Sequence, residues 1–505
     1  MNKEQRKRLA QIRRVLKSRD WADVSAIVDT VARDDDPEIR AALGAGLSLK
    51  SNGQLMIGEK SEVARRVRAS WRRPAAIRIA RLSGLLDDAS KLWIGAEDNL
   101  HDLSLLEGLD RLAELGIEQP EHPIDISGLT RLTGLTGLSL SRRPGGGLHF
   151  DLSVLQQLPK LRRLNLFNHG TLTDLSLLSA LPALRRLDLW QPVALRDLSG
   201  LAHVPDLTEL ELSYLESVID FSPIGALMKL QRLVLSDSPI EDLSLLEGMS
   251  ALESLRLSRS SAQDLSPLAK LPKLTELSFA RFTGDPETLR GITRLRALNL
   301  SNAHCLGTLD PLKELVNLVS LDVSGATVRD ISALTGLCNL TRLDLSGGRG
   351  ETDLSTLAGL TALEGLRLVR FGALTDISAL RRMDRMKHLS LLVCPQLSDL
   401  SPVSGMSALQ SISISANERL VDLSALTGLT GLRSVWVYGG EALQDISALA
   451  GLTGLERIEL QRCPRLGDVS ALATLPALKT LNLSGSRNAT GFEVLRKSGV
   501  SVWRA

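Results

Sequence analysis

The sequence is poor in aromatic residues, which make up 3% of its 505 residues: 7 Phe, 6 Trp and 2 Tyr. Its hydrophobic fraction of 43% therefore consists almost wholly of leucine, alanine, valine and isoleucine, with 40 glycines alongside. Irregular globular cores ordinarily contain more large rings. This composition favours a repetitive architecture over several ordinary domains.

Cysteine and long apolar runs are also scarce. The four cysteines, Cys305, Cys338, Cys394 and Cys463, are widely spaced with no CxxC pair, which is typical of a reduced, cytoplasmic protein. Cys394 and Cys463 are expected to be small buried residues and not reactive thiols. No apolar run approaches the roughly 18 residues that cross a bilayer, and the start, MNKEQRKRLAQIRRVLKSRDW, lacks the apolar core of a secretory signal. We expect a cytoplasmic protein without a membrane segment.

Catalytic motifs are missing as well. The sequence has no nucleophile elbow, paired catalytic carboxylates or Walker motif, and the glycines 145–147 are not followed by Gly-Lys-Ser/Thr. His101, His122, His149 and His169 precede repeated aspartates at varying offsets, which disfavours a shared metal site. We predict no enzyme activity, no cofactor and no metal. Catalysis within residues 1–86 is the one enzymatic alternative left open.

The formal net charge of +2 hides an uneven distribution. Residues 1–86 carry 19 Lys and Arg against 10 Asp and Glu, a balance of +9 that leaves −7 for residues 87–505. A predicted helix that includes the Arg-rich stretch 65–73 places Val63, Val67 and Trp71 on one face. Its other faces carry the arginines Arg65, Arg66, Arg68, Arg72 and Arg73. Such a helix can contact nucleic acid or an acidic partner, but a basic face is more often simply solvated. Nucleic acid is not the favoured partner.

What the sequence does contain is a repeat. An aspartate followed by an apolar residue and serine recurs from Asp102 to Asp468, 366 residues over 16 periods of about 22.9. Between the aspartates run segments such as LRRLNL (161–166) and LTRLDL (340–345), whose alternation predicts strands that bury leucines and expose the residues between them. In DLSPL (264–268), Ser266 is expected to N-cap a short helical turn that begins at Pro267.

Over about residues 89–485, this pattern resembles the short Asp-Leu-Ser leucine-rich repeat of bacterial internalin-like proteins and of the regulatory subunit of eukaryotic protein phosphatase 1. The resemblance implies an α/β, right-handed leucine-rich repeat solenoid with a parallel β-sheet on its concave face and short helical turns on its convex face. It also implies a bacterial, non-enzymatic scaffold that binds a protein or peptide on the concave face. The alternative is a regulatory subunit that modulates a partner enzyme.

We predict three segments. Residues 1–86 form a small, basic, mainly helical capping domain, in which Asn52-Gly53 predicts a hairpin that docks on the first solenoid strand. Residues 87–485 form a solenoid of about 18 repeats. Residues 486–505 form a C-terminal cap in which Phe492, Leu495 and Trp503 cover the last repeat. A monomer is favoured, although the sequence does not fix the oligomeric state.

Rare aromatic residues mark the candidate binding surface. In SVWVY (434–438), alternation buries the valines and turns the rings outward, and the same register exposes aromatic residues in other repeats, with arginines expected beside them. Exposed aromatic and Arg clusters are typical of interface hot spots, although a ring on a sheet can also serve cross-strand packing. The predicted partner-binding residues are Trp93, Arg163, Phe167, Arg186, Trp190, Tyr214, Trp436 and Tyr438.

Overall fold

The computed structural model describes residues 1–18, 20–33, 36–61, 63, 64, 67, 72–143, 150–326, 328–346 and 353–504. Two compact units, Met1–Pro239 and Ile240–Ala505, make up the chain. Several predicted features lie outside the described residues: Arg65, Arg66, Arg68, Trp71, the glycines 145–147 and His149. The predicted boundaries at residues 86 and 485 stay predictions.

The first unit begins with helices that pack through apolar faces. Their bounds are α1 (Lys3–Val15), α2 (Trp21–Arg33), α3 (Pro37–Gly44) and α4 (Arg72–Leu82). Leu9, Ile12 and Leu16 on the first helical segment are buried, as their spacing predicts. The side chain of Asp20 accepts a hydrogen bond from the backbone N–H of Ala22 at 2.9 Å, which caps the start of α2.

A hairpin lies between α3 and α4 in the chain. Strands β1 (Leu47–Leu49) and β2 (Leu55–Ile57) are antiparallel, with Asn52-Gly53 in the turn as predicted. Gly53 has φ +86° and lies so close to Leu92 that a Cβ there would come within 2.8 Å of the Leu92 nitrogen. The backbone N–H of Trp93 donates to the Gly53 carbonyl at 3.0 Å. The hairpin therefore lies against the first strand of the repeats.

The repeats of the first unit form a ladder of parallel strands in sequence order. The strands are β3 (Lys91–Ile94), β4 (Glu114–Glu118), β5 (Gly137–Ser141), β6 (Arg163–Phe167), β7 (Arg186–Trp190), β8 (Glu209–Ser213) and β9 (Arg232–Ser236). The leucines of neighbouring strands stand in register, as Leu164 does with Leu187, so each repeat buries its apolar side chains against the next.

The second unit repeats this arrangement. Its strands are β10 (Ser254–Ser258), β11 (Glu276–Ser278), β12 (Ala297–Asn299), β13 (Ser320–Asp322), β14 (Arg342–Ser346), β15 (Gly365–Val369), β16 (His388–Leu392), β17 (Ser411–Ser415), β18 (Ser434–Tyr438), β19 (Arg457–Gln461), β20 (Thr480–Asn482) and β21 (Ser501–Trp503). Helix α5 (Phe492–Lys497) precedes the last strand. We call the face that carries the outward side chains, in either unit, the open sheet face.

The repeated aspartate begins a short 3-10 turn on the side of the repeat away from the strands. Asp264 accepts a hydrogen bond from the backbone N–H of Ser266 at 2.8 Å, and the turn Ser266–Lys270 follows. The prediction that Ser266 is the N-cap was wrong: Ser266 is the first residue of the turn, and Leu265 holds the cap position without a side-chain hydrogen bond. Asp264 instead holds the start of the turn by accepting the Ser266 N–H in an Asx-type turn. The same bond forms at Asp102, Asp125, Asp151, Asp174, Asp197, Asp220, Asp242, Asp285, Asp330, Asp353, Asp376, Asp399, Asp422, Asp445 and Asp468.

The C-terminal segment covers the last repeat differently from the prediction. Phe492 and Leu495 are buried, as expected, but Trp503 is 64% exposed. The reason is strand register: β21 pairs with β20 so that Val502 aligns with the buried Leu481, which turns Trp503 outward beside Asn482. Trp503 thus belongs to the open sheet face and not to the cap.

Among the described residues, no helix has both the length and the apolarity needed to cross a membrane.

Candidate partner-binding surface

Strand alternation arranges the outward side chains of the first unit in rows that cross the strands. The row at the strand starts contains Lys91, Glu114, Gly137, Arg163, Arg186, Glu209 and Arg232. The middle row contains Trp93, Gly116, Ser139, Asn165, Asp188, Glu211 and Val234. The row at the strand ends contains Glu118, Ser141, Phe167, Trp190, Ser213 and Ser236.

Phe167, Trp190 and Tyr214 form what we call the first aromatic cluster. Phe167 and Trp190 are register partners on adjacent strands, and both are half-buried while the leucines beside them are buried. The rings of Trp190 and Tyr214 meet edge to face, with centroids 5.2 Å apart and planes at 83°. Tyr214 follows β8 with φ +62°, so it departs from strand geometry. The structure therefore brings together the three rings that the sequence predicted.

Arg163 and Arg186 do not stand beside these rings, and that part of the prediction was wrong. Each arginine begins its strand, whereas Phe167 and Trp190 end the same strands. Four residue steps along the strand place the Cα atoms of arginine and ring about 13 Å apart, at roughly 3.3 Å per residue. The two arginines lie in the row of charged residues at the strand starts.

These arginines instead line a hollow that also contains Trp93, which we call the N-terminal depression. Its volume is ≈ 320 Å³, and it is lined by Asn52, Lys91, Leu92, Trp93, Glu114, Leu115, Gly116, Gly137, Leu138, Ser139, Arg163, Asn165 and Arg186. Two outward glycines create the space. The ring of Trp93 lies over Gly116, where a Cβ would overlap it, and Gly137 leaves a gap between Glu114 and Arg163.

Charges pair across the row of the N-terminal depression. Glu114 bonds Lys91 at 3.0 Å and also pairs with Arg163 across the gap at Gly137. Burial raises the pKa of Glu114, but the bonds to Lys91 and Arg163 outweigh it, so the net pKa is lowered. Arg186 pairs with Asp188 at 2.9 Å and with Glu209 at 2.8 Å. Burial raises the pKa of Asp188 against the opposing effect of Arg186.

Trp436, Tyr438 and Arg462 form the second aromatic cluster, on β18 and just past β19. The register prediction is confirmed: Val435 and Val437 are buried, whereas Trp436 and Tyr438 are half-buried on the open sheet face. Their rings stack with centroids 6.0 Å apart and an angle of 18° between the ring planes. The Arg462 guanidinium carbon lies 5.2 Å from the centroid of the Tyr438 ring, a cation–π contact.

Two outward features of the second unit were missed at the sequence level. Trp503 shares the middle row with Trp436, two strands beyond Glu459. A hollow of ≈ 630 Å³ also opens around Gly365, with Arg342, Asp344, Arg367 and His388 among its lining residues. The signal was available: Gly365, like Gly137, is a glycine at an outward strand position where other repeats carry serine or a charge.

The structure describes six of the seven histidines and all four cysteines. His101 and His122 stack with centroids 3.9 Å apart, and His169 is buried with its Nε2 3.2 Å from the Leu140 carbonyl. Within the described part of the chain, no group of three or more His, Cys, Asp or Glu could hold a metal ion. Cys394 and Cys463 are buried, as predicted, and burial raises the pKa of the Cys394 thiol to about 11.

The parallel ladder, one strand and one short 3-10 turn per repeat, is a leucine-rich repeat solenoid. No family model and no curated protein matches the chain. Among solved structures, it is similar to TLR13 in a complex with ssRNA13, with 20% identity, TM-score 0.56, and coverage of 79% of this chain and 68% of that one. At this identity the likeness shows the fold alone.

Two bacterial structures are also matched, at TM-scores too low to add to that conclusion. A leucine-rich repeat protein of Leptospira interrogans has 18% identity, TM-score 0.48, and coverage of 84% of this chain and 97% of that one. The internalin inlF of Listeria monocytogenes has 22% identity, TM-score 0.35, and coverage of 77% and 93%.

Proposed function

We propose that this protein is a non-enzymatic scaffold that binds a protein or peptide on its open sheet face. The observation that carries the proposal is the outward placement of the two aromatic clusters, on a face whose other outward positions are mainly serine, glycine and charged residues. Large half-exposed rings with an arginine nearby are the usual anchors of protein interfaces.

The surroundings of Trp436 support binding over structural packing. Its register neighbours are Ser413 on β17 and Glu459 on β19, neither of which offers an aromatic or branched side chain for cross-strand packing. Phe167 and Trp190 have each other as neighbours, so the structural alternative is stronger for the first aromatic cluster. The second cluster is therefore the sharper place to test the proposal.

We further propose that the hairpin and helices before β3 cap the repeats, since the Gly53 carbonyl and Gln54 pair with Trp93 at the outer edge of the first repeat strand. A cytoplasmic location is part of the proposal too. It is supported by the four cysteines, which are all free thiols and two of which are buried.

Affinity capture from extract of the source cell tests the function. The tagged wild-type chain should retain a partner at stoichiometric amount, and Trp190→Ala and Trp436→Ala should each lose most of it. Matched controls are Ile219→Ala and Val316→Ala, which remove apolar side chains exposed by 94% and 47% at positions outside the strands. Equal retention by all four variants would contradict the proposal. A retained enzyme whose rate changes on binding would instead assign a regulatory-subunit role.

A further inference from the structure

The N-terminal depression is richer in positive than in negative side chains. Lys91, Arg163 and Arg186 line it, with side-chain exposures of 44%, 49% and 40%, whereas Glu114 is its one lining carboxylate. Lys91 and Arg163 share that single carboxylate. The acidic partners of Arg186, Asp188 and Glu209, are not among the lining residues. Arg186 is thus matched by two carboxylates. The surplus that the hollow presents is the one positive charge by which Lys91 and Arg163 together exceed Glu114.

Its shape suits an extended chain. The strand backbone around Leu92, Leu115 and Leu138, whose side chains are buried in the core, forms its floor, and the ring of Trp93 over Gly116 forms one apolar wall. Asn52 from the hairpin, with Ser139 and Asn165 from the sheet, supplies neutral groups that can hydrogen-bond a peptide backbone. An open hollow of this kind leaves a small molecule largely in water, whereas a chain that crosses several strands buries more surface.

We propose that the N-terminal depression binds an acidic, extended segment of a partner protein, with an Asp or Glu side chain received by Lys91 and Arg163. An apolar residue of the same segment packs on Trp93. This inference rests on the proposed function and names the chemistry of the partner at this part of the open sheet face. Guanidinium and ammonium donors bond carboxylates strongly, and the charge surplus selects against basic segments.

The same positive groups do not fit a nucleic acid equally well. A single strand needs a positive groove that follows its backbone over several nucleotides. Here the next outward residues of the same two rows are acidic: Asp188 on β7, then Glu209 and Glu211 on β8. A continuous line of phosphates would meet these carboxylates, whereas a short acidic segment avoids them.

Fluorescence anisotropy with the full-length protein tests the inference. The probe is a fluorescein-labelled 12-residue peptide of alternating glutamate and serine with one central leucine, and the matched probe replaces each glutamate with lysine. We expect the acidic probe to bind and the basic probe not to bind. Binding of the acidic probe should weaken about tenfold or more between 50 and 300 mM NaCl.

Variants locate the site. Lys91→Gln and Arg163→Gln should each lower the affinity for the acidic probe about tenfold. Arg457→Gln, at the same strand position in the second unit, should leave that affinity unchanged. Circular dichroism checks that each variant is folded. If Arg163→Gln does not fold, Lys91→Gln alone tests the inference. Equal affinity in all variants, equal binding of both probes, or tighter binding of single-stranded oligo(U) at the same residues overturns the inference. If the acidic probe does not bind but Trp190→Ala still loses a partner that the wild type retains, the proposed function stands and only this inference is wrong.

Discussion

The exposed rings of this protein lie where the leucine stack does not need them. Trp436 is half-buried between positions occupied by Ser413 and Glu459, while the stack is filled by neighbours such as Val435 and Ile414. Removing a buried branched residue costs about 2–5 kcal/mol, because a cavity remains. Removing a half-exposed ring whose packing partner is the half-buried Tyr438, with Ser413 and Glu459 on the neighbouring strands, leaves no cavity in the leucine stack and is expected to cost less. We therefore expect Trp436→Ala to test the proposed binding role with little loss of stability.

Asp98 is a fully buried carboxylate of the first unit. It pairs with Arg73 of α4 at 3.0 Å and accepts the backbone N–H of Gly95 at 2.8 Å. Arg73 also donates to the Leu55 carbonyl of the hairpin at 2.6 Å, so this one pair joins helix, hairpin and first repeat. Burial raises the pKa of Asp98 to about 6, against the opposing charge of Arg73.

The raised pKa predicts a pH dependence of stability that Asp98→Asn removes. The folded-state pKa of about 6 lies above the ordinary value of 3.8, so the folded state holds the proton more tightly. Stability from this group is complete below about pH 4 and is lost as the pH rises through 6, by roughly 3 kcal/mol at about 1.4 kcal/mol per pKa unit. Thermal unfolding at pH 4, 5, 6 and 7 checks this. A difference between wild type and variant that stays constant, or grows in favour of wild type with rising pH, contradicts it.

At the scale of the repeated element, the aspartate organises the 3-10 turn. Asp174 accepts the backbone N–H of Ser176 at 2.9 Å. We expect Asp174→Ala to destabilise its repeat by about 1 kcal/mol, as loss of a helix cap does, and Asp174→Asn to cost less because the amide oxygen still accepts the bond. Urea unfolding of both variants measures the difference. Equal losses for Ala and Asn would show that the bond does not hold the turn.

The same turns predict how the repeats respond to acid. Hydrogen bonds from the following serine lower the pKa of many of these carboxylates: Asp102, Asp151, Asp174, Asp220, Asp242, Asp330, Asp353, Asp422 and Asp468. A lowered pKa stabilises the fold above the ordinary value near 4, and this stability is lost as the pH falls through the lowered pKa. Acid unfolding should therefore begin below about pH 4.

Substitution of the turn carboxylates tests that expectation. A variant with Asp174→Asn, Asp242→Asn and Asp422→Asn keeps acceptors in the turns but removes three titrating groups, so its acid midpoint should move to lower pH. The matched control carries Asp110→Asn and Asp384→Asn, exposed residues outside the Asx turns. Circular dichroism between pH 5 and pH 2 records both midpoints. A shift of the same size in the control contradicts the assignment.

The strands and the spacing of the turns could be predicted from sequence, because each depends on a local period. The alternation in SVWVY determines which side chains face inward, and Asn52-Gly53 determines the hairpin. The cap was misassigned because Asp and Ser both favour helix starts, and the local pattern does not show that the turn begins at Ser266 itself. The prediction that Arg163 lies beside Phe167 was wrong because the two residues stand at opposite ends of β6, in different rows of the sheet.

Trp503 and the hollow around Gly365 show the other limit of sequence reasoning. The orientation of Trp503 depends on how β21 pairs with β20 after helix α5 interrupts the repeat, and no local pattern encodes that register. The hollow around Gly365 forms because glycine has no side chain at that outward position. That Arg342 and His388 flank it follows from strand register and cannot be read from the repeat alone.

For the whole molecule, the leucine-rich repeat architecture explains the composition. Each repeat fills its interior with leucine and related side chains, which leaves little need for large rings inside. The rare aromatic residues are divided accordingly: Phe279 and Phe282 are fully buried, whereas Trp190, Trp436 and Tyr438 face outward. Six of the seven phenylalanines are buried, so the rings on the open sheet face are mainly tryptophan and tyrosine, as the proposed binding function requires.

The most direct test of that claim is calorimetric titration of the captured partner into wild type, Trp436→Ala and Ile414→Ala, with the melting temperature measured on the same samples. We expect Trp436→Ala to raise the dissociation constant at least about 30-fold, the effect of losing a hot spot worth roughly 2 kcal/mol. Its melting temperature should stay within about 1 °C of wild type. Ile414→Ala should lower the melting temperature and leave the affinity unchanged. Unchanged affinity of Trp436→Ala together with a large fall in its melting temperature would show that the ring serves the fold.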